Sequence, residues 1–90
     1  ALQDKSPSVR VAAAHALCRA GQYDTALPAL VRLLQDPDKF IRTRTLNVLA
    51  LQEHKAAPAI EAVKSVQSDP DAGVQRAASS ALARITEHLP

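Results

Sequence analysis

The residues able to do chemistry are few, and their spacing sorts them quickly. His15 and Cys18 stand three apart in "AHALCRA", one helical turn, near enough to share a metal ion. Zinc needs three or four ligands, and the other two histidines, His54 and His88, fall far along the chain in stretches that read as turns. A surface imidazole and a small buried thiol account for the pair. Nucleophilic use of Cys18 would need an adjacent base and electropositive surroundings; only Arg19 is at hand, and it points elsewhere on the helix. The carboxylates Asp36 with Asp38, and Asp69 with Asp71, are close enough for acid–base work, yet each pair sits where a helix begins and needs a cap. The two glycines, Gly21 and Gly73, lie too far apart to build a phosphate loop. The expectation is a chain with no catalytic residue, no metal site and no cofactor.

Charge and composition narrow the partners. Eleven Lys and Arg against nine Asp and Glu give a formal charge of +2, scattered along the chain. Arg10, Lys39, Arg42 and Arg44 come nearest to a basic edge, a weak footprint for nucleic acid, and one Tyr and one Phe leave little for base stacking. Nucleic acid is therefore disfavoured as a partner. No apolar run approaches the roughly 18 residues that span a bilayer, and the N-terminus shows no basic-then-apolar leader. A soluble chain with no membrane partner is expected. The compartment stays open, the cytoplasm being a slightly better fit to a lone thiol that has no disulfide partner.

What must position these residues is a repeat. An Asp followed five residues later by an aliphatic residue occurs at Asp4/Val9, Asp36/Ile41 and Asp69/Val74, spacings of 32 and 33 between the aspartates. Two residues after each Asp comes a helix-capping type, Ser6, Asp38 or Asp71, and Pro7 follows the first of them at a position where a missing N–H costs nothing. Apolar residues then recur at helical spacing: Val9, Ala13, Ala16, Leu17 and Ala20; Ile41, Thr45, Val48 and Leu49; Val74, Ala78, Ala81, Leu82 and Ile85. Each such helix needs a partner to cover its stripe. The partners follow short turns, "AGQYD" with Gly21 suited to a left-handed helix end, and "QEHKA" with no glycine. "TALPALVRLLQD" is expected to bury Leu27, Leu30, Val31 and Leu34 with Pro28 in its first turn, and "AAPAIEAVKSVQSD" to bury Ile60, Val63 and Val66 behind Pro58. The second of these helices should be about one turn longer. Small residues and scarce aromatics, 2% of the chain, suit helices in close contact around one thin core.

Taken together, "LQDPDKFIRTRTLNVLA" and "DKSPSVRVAAAHALCRAG…ALPALVRLLQDP" resemble HEAT or HEAT-like repeats over nearly the whole chain. The specific marks are the Asp-Pro turn, the aliphatic-Arg pair and the Pro early in the second helix. The resemblance implies an all-α fold, an α-solenoid of about five helices in antiparallel pairs and a right-handed superhelical stack. It also implies a structural ladder in which the turn Asp meets the Arg six residues later, Asp4 with Arg10 and Asp36 with Arg42. The third unit departs: Gln75 stands in the Arg position with Arg76 after it, which leaves the ladder open at Asp69.

The units read as 4–35, 36–68 and a partial 69–90, a segment expected to come from a longer array with apolar residues at both ends that favour self-association. Such stacks work through their inner, second helices, so Arg32, Gln35, Glu61, Lys64 and Ser68 form the candidate partner-binding face. The functional expectation is a non-catalytic scaffold that binds a protein or peptide. The alternatives are an accessory segment of a larger bacterial enzyme, since HEAT-like repeats occur beside sulfatase-like hydrolases and in bilin lyases, and a DNA-binding HEAT-like protein.

Overall fold

The structure is a computed structural model and describes residues 5–87. Five α-helices and one 3₁₀ segment make up the described chain: α1 Pro7–Arg19, α2 Tyr23–Leu33, α3 Lys39–Leu51, the 3₁₀ segment Glu53–Ala59, α4 Ile60–Val66 and α5 Ala72–Thr86. No strand occurs among the described residues. The helices α1, α3 and α5 pack side by side as one layer, and α2 with the 3₁₀ segment and α4 form the other. The slab measures 31 × 30 × 15 Å. Its short dimension is two helices deep, an interaxial distance of about 8–10 Å plus a Cα radius of about 2.3 Å on each side. This is the all-α solenoid of antiparallel helix pairs.

Helix starts are set by the aspartate turns. Asp38 and Asp71 hold extended backbone at the N-cap, and their carboxylates accept from the N–H of Phe40 at 2.8 Å and of Val74 at 3.0 Å. Ser6 has the same extended backbone before Pro7, but its hydroxyl makes no capping bond to α1. The fixed φ of Pro7 sets the first turn of α1 without such a bond.

The end of α1 closes as a Schellman motif. Gly21 turns left-handed at φ +80, its N–H donates to Cys18 O at 3.0 Å, and the Gln22 N–H reaches back to Leu17 O at 2.8 Å. After α3 the corresponding left-handed position is filled by Glu53 at φ +52, without glycine. The chain then runs as a 3₁₀ segment before α4 begins.

The second helices differ from the sequence expectation in two ways. Pro28 does not open its helix; α2 starts at Tyr23, so Pro28 lies in the second turn. The N–H that it lacks would have bonded the carbonyl of Asp24, and both residues are exposed, where water can take the bond. Beyond Pro58 the α-helix is not longer but shorter, seven residues in α4 against eleven in α2. Pro58 stands closer to its turn than Pro28 does, and a proline disfavours the α conformation in the residue before it, Ala57. The extra length is spent in the 3₁₀ segment.

The buried stripe of α1 is also corrected. Val9, Ala16 and Ala20 are exposed and Ala13 and Leu17 half-buried, whereas Val11, Ala14 and Cys18 are buried. A first helix in a stack has two apolar stripes, one toward each neighbouring unit. α3 has neighbours on both sides and buries both, Ile41, Thr45 and Val48 on one, Leu46 and Ala50 on the other. α5 packs on α3 and α4 and buries Val74, Ala78, Ala81 and Ile85. α1 packs on α2 and α3 and so buries the opposite stripe. Thr45, the one buried polar residue in the core of the described chain, satisfies its hydroxyl by donating to Ile41 O at 2.7 Å.

Candidate functional site

The loop edge of the slab is organised by the aspartate of each turn, and each aspartate does three things. Asp36 Oδ1 and Asp69 Oδ1 accept from the N–H two residues on, Asp38 and Asp71, both at 2.9 Å, which shapes the Asp-Pro-Asp turn. Their backbone carbonyls accept from the side chain six residues on: Arg42 Nη1 donates to Asp36 O at 2.7 Å, and Gln75 Nε2 donates to Asp69 O at 2.6 Å. Their carboxylates receive the arginine of the unit before.

This corrects the pairing implied by the family resemblance. The Arg42 guanidinium meets the carbonyl of Asp36, not its carboxylate, and its ionic partner is Asp69 in the next turn, with Nη2 donating to Oδ1 at 3.2 Å. Nε lies 2.8 Å from Asp69 Oδ2 without being aimed at it, an ion pair and not a hydrogen bond. A second donation by Nη1 to Pro37 O at 3.0 Å completes the clamp. The reason is reach: a side chain at the first turn of α3 spans the gap to the neighbouring loop while its other nitrogen ties down its own. Arg10 follows the same plan, with Nη2 4.0 Å from Asp36 Oδ2 and Nη1 donating to Lys5 O at 3.3 Å. Asp4, expected opposite Arg10, lies outside the described residues. The ladder is not open at Asp69, and Gln75 keeps only the carbonyl half of the arginine's work. The Asp71 N–H has the largest effect on the Asp69 carboxyl and lowers it; burial, the next largest, opposes it, and the hydrogen bond and charge of Arg42 then help to hold it below the ordinary range.

The candidate partner-binding residues are all exposed, but they do not form one cluster. Glu61 and Lys64 pair with each other at 3.4 Å on the surface of α4. Gln35 and Ser68 line a cleft of 380 Å³ at the loop edge, whose floor includes Arg42 and Asp69. Arg32 stands apart, at a groove of 450 Å³ between α2 and the 3₁₀ segment. That groove has an apolar floor of Leu27, Pro28, Val31 and Pro58, with Tyr23 as a wall and Asp24 near the start of the helix. Lys55 Nζ sits 5.5 Å from the centre of the Tyr23 ring.

Sequence reasoning missed Tyr23, Lys55 and the two prolines as surface features, having assigned Pro28 and Pro58 to helix starts alone. The available signal was their equivalent place in successive units beside the single tyrosine. His15 is half-buried, while burial covers Cys18 and pushes its thiol upward, away from the thiolate a nucleophile needs. Among the described residues no three His, Cys, Asp or Glu side chains converge as metal ligands. None of the described helices is long and apolar enough to cross a membrane.

No curated protein and no solved structure matches the chain. The family model for HEAT repeats matches residues 1–83. With the paired helices, the Asp-Pro turns and the arginine clamp between units already in place, that match over most of the sequence means that the chain belongs to the HEAT-repeat family.

Proposed function

We propose that this chain is a protein-binding module without chemistry of its own, and that the layer formed by α2, the 3₁₀ segment and α4 is its working face. HEAT repeats commonly serve protein interaction or scaffolding. The observation that carries the assignment of the face is its surface: Thr25, Arg32, Gln35, Glu61, Lys64 and Ser68 are exposed along or just after its helices, and Arg32 borders an apolar groove, a mixture suited to many modest contacts with another protein. The arginines at the loop edge, in contrast, are committed to holding the units together.

A photo-crosslinking residue placed at Lys64 or Gln35 should trap a discrete protein in the cell of origin, and one placed at Arg44 or Ser80 on the other layer should not. Trapping only from Arg44 or Ser80 would overturn the choice of face. A DNA duplex gives the contrasting readout. A nucleic-acid binder would retain the duplex at 50 mM salt and lose it steeply by 200 mM, and no retention is expected at either.

A further inference from the structure

The groove beside Arg32 has a chemistry that the rest of the face lacks. Its floor of Pro28, Pro58, Leu27 and Val31 is already rigid, because proline has almost no side-chain freedom to lose and Leu27 is buried in the core. An apolar side chain laid on it would displace water without freezing flexible groups, the usual condition for a small contact to yield affinity. The charges at the two ends differ. The tyrosine end carries Asp24, and the Lys55 ammonium there lies over the Tyr23 ring. Arg32 stands eight residues further along α2, about 12 Å at 1.5 Å per residue, and is exposed with no ion pair among the described residues. The groove thus runs from an anion, Asp24, to a cation, Arg32, neither of them in an ion pair among the described residues.

We propose that this groove receives a short extended segment of another protein, aliphatic side chains on the proline and valine floor followed by a carboxylate on Arg32. About four extended residues cover the 12 Å between the two ends, at about 3.3 Å each. The inference rests on the protein-binding reading above and narrows it to an apolar-then-acidic sequence. The carboxylate supplies direction and selectivity, the floor most of the contact.

The test is a titration of the ¹⁵N-labelled chain, followed by amide shifts, with two blocked hexapeptides, Ser-Leu-Leu-Ser-Glu-Ser and its counterpart with Lys in place of Glu. The Glu peptide should move the amides of Tyr23, Leu27 and Val31 saturably and bind about twofold to fivefold tighter than the Lys peptide, the range open to one surface ion pair. Arg32→Glu, a change at an exposed position, should reverse that preference, while Lys64→Glu should leave it as it was. Equal binding of the two peptides, or an unchanged preference in Arg32→Glu, overturns the proposal. Shifts confined to Lys64, Ser65 and Ser68 overturn it too, yet leave the second-helix layer as the working face. Shifts confined to α1, α3 and α5 overturn both.

Discussion

The two helix hairpins, Pro7–Leu33 and Lys39–Val66, carry out one plan with different materials. The first closes on a glycine, continues into an unbroken helix and joins the next unit through an open rung, Arg10 to Asp36 at 4.0 Å. The second closes on a left-handed glutamate, continues through a 3₁₀ segment and joins the next unit through a closed rung, Arg42 to Asp69 at 2.8 Å. Among the described residues its first helix, α3, is covered on both sides, and α1 on one. The difference teaches that aligned residues in a stack do not have aligned energies. Each takes its value from the neighbours that cover it.

The sharpest way to break that conclusion is at the aliphatic anchors. Ile41 is 5% exposed and Val9, its equivalent, 43%. Ile41→Ala should cost about 2–4 kcal/mol in urea denaturation, through lost burial and the cavity left behind. Val9→Ala should cost about 0.5 kcal/mol or less. Similar losses at the two sites would mean that repeat position, not neighbour coverage, sets the energy.

The rungs come next. Arg42 donates to two carbonyls and pairs with a carboxylate that is itself largely covered, so Arg42→Ala should cost about 1.5–2 kcal/mol by leaving those acceptors unmet. Arg10 has a longer and more exposed rung, and Arg10→Ala should cost about 0.5 kcal/mol. Arg44, exposed on α3 with no ion pair among the described residues, is the control for simple loss of charge. A pH series sharpens the contrast. Because folding depresses the Asp69 carboxyl, its contribution is fully present above about pH 4, the unfolded value, and disappears as pH falls through the lower folded value. Asp69→Asn should therefore lower the urea midpoint at pH 7, and the gap from the natural chain should narrow at pH 3. A gap of constant size would assign the residue's role to the shape of the turn alone.

These contrasts also mark what the sequence made legible. The turn aspartates, the caps at Asp38 and Asp71 and the two-layer helix pairing follow from local chemistry that any chain with those residues would show. The buried side of α1 was not legible, because Val9, Ala13 and Ala16 and Val11, Ala14 and Cys18 are both acceptable helical stripes and only the packing partner chooses between them. The ladder partner failed for a related reason. Spacing along the chain placed Asp36 beside Arg42, correctly for its carbonyl, but the carboxylate that Arg42 reaches is 27 residues away in sequence. The groove was hidden in prolines that had a sufficient local explanation.

The smallest effects come from the two turns, and they should have opposite signs. Gly21 at φ +80 has open space where a Cβ would be, nothing within 4 Å, so Gly21→Ala meets only the backbone cost of the left-handed region, about 1 kcal/mol of destabilisation. Glu53 already bears that cost at φ +52. Glu53→Gly should remove it while adding freedom to the unfolded chain, a net gain of about 0.5 kcal/mol. The substitution also gives up the contact of Glu53 with Arg84, but at 3.9 Å, with about half of each side chain exposed, that pair contributes little. Making the change in an Arg84→Ala background removes even this ambiguity. Stabilisation there identifies the glutamate as strain carried by the second hairpin, the same strain that the first hairpin avoids with its glycine. Destabilisation would show instead that a glutamate side chain is needed to hold the start of the 3₁₀ segment, and the two turns would then be different devices, not one device built from different residues.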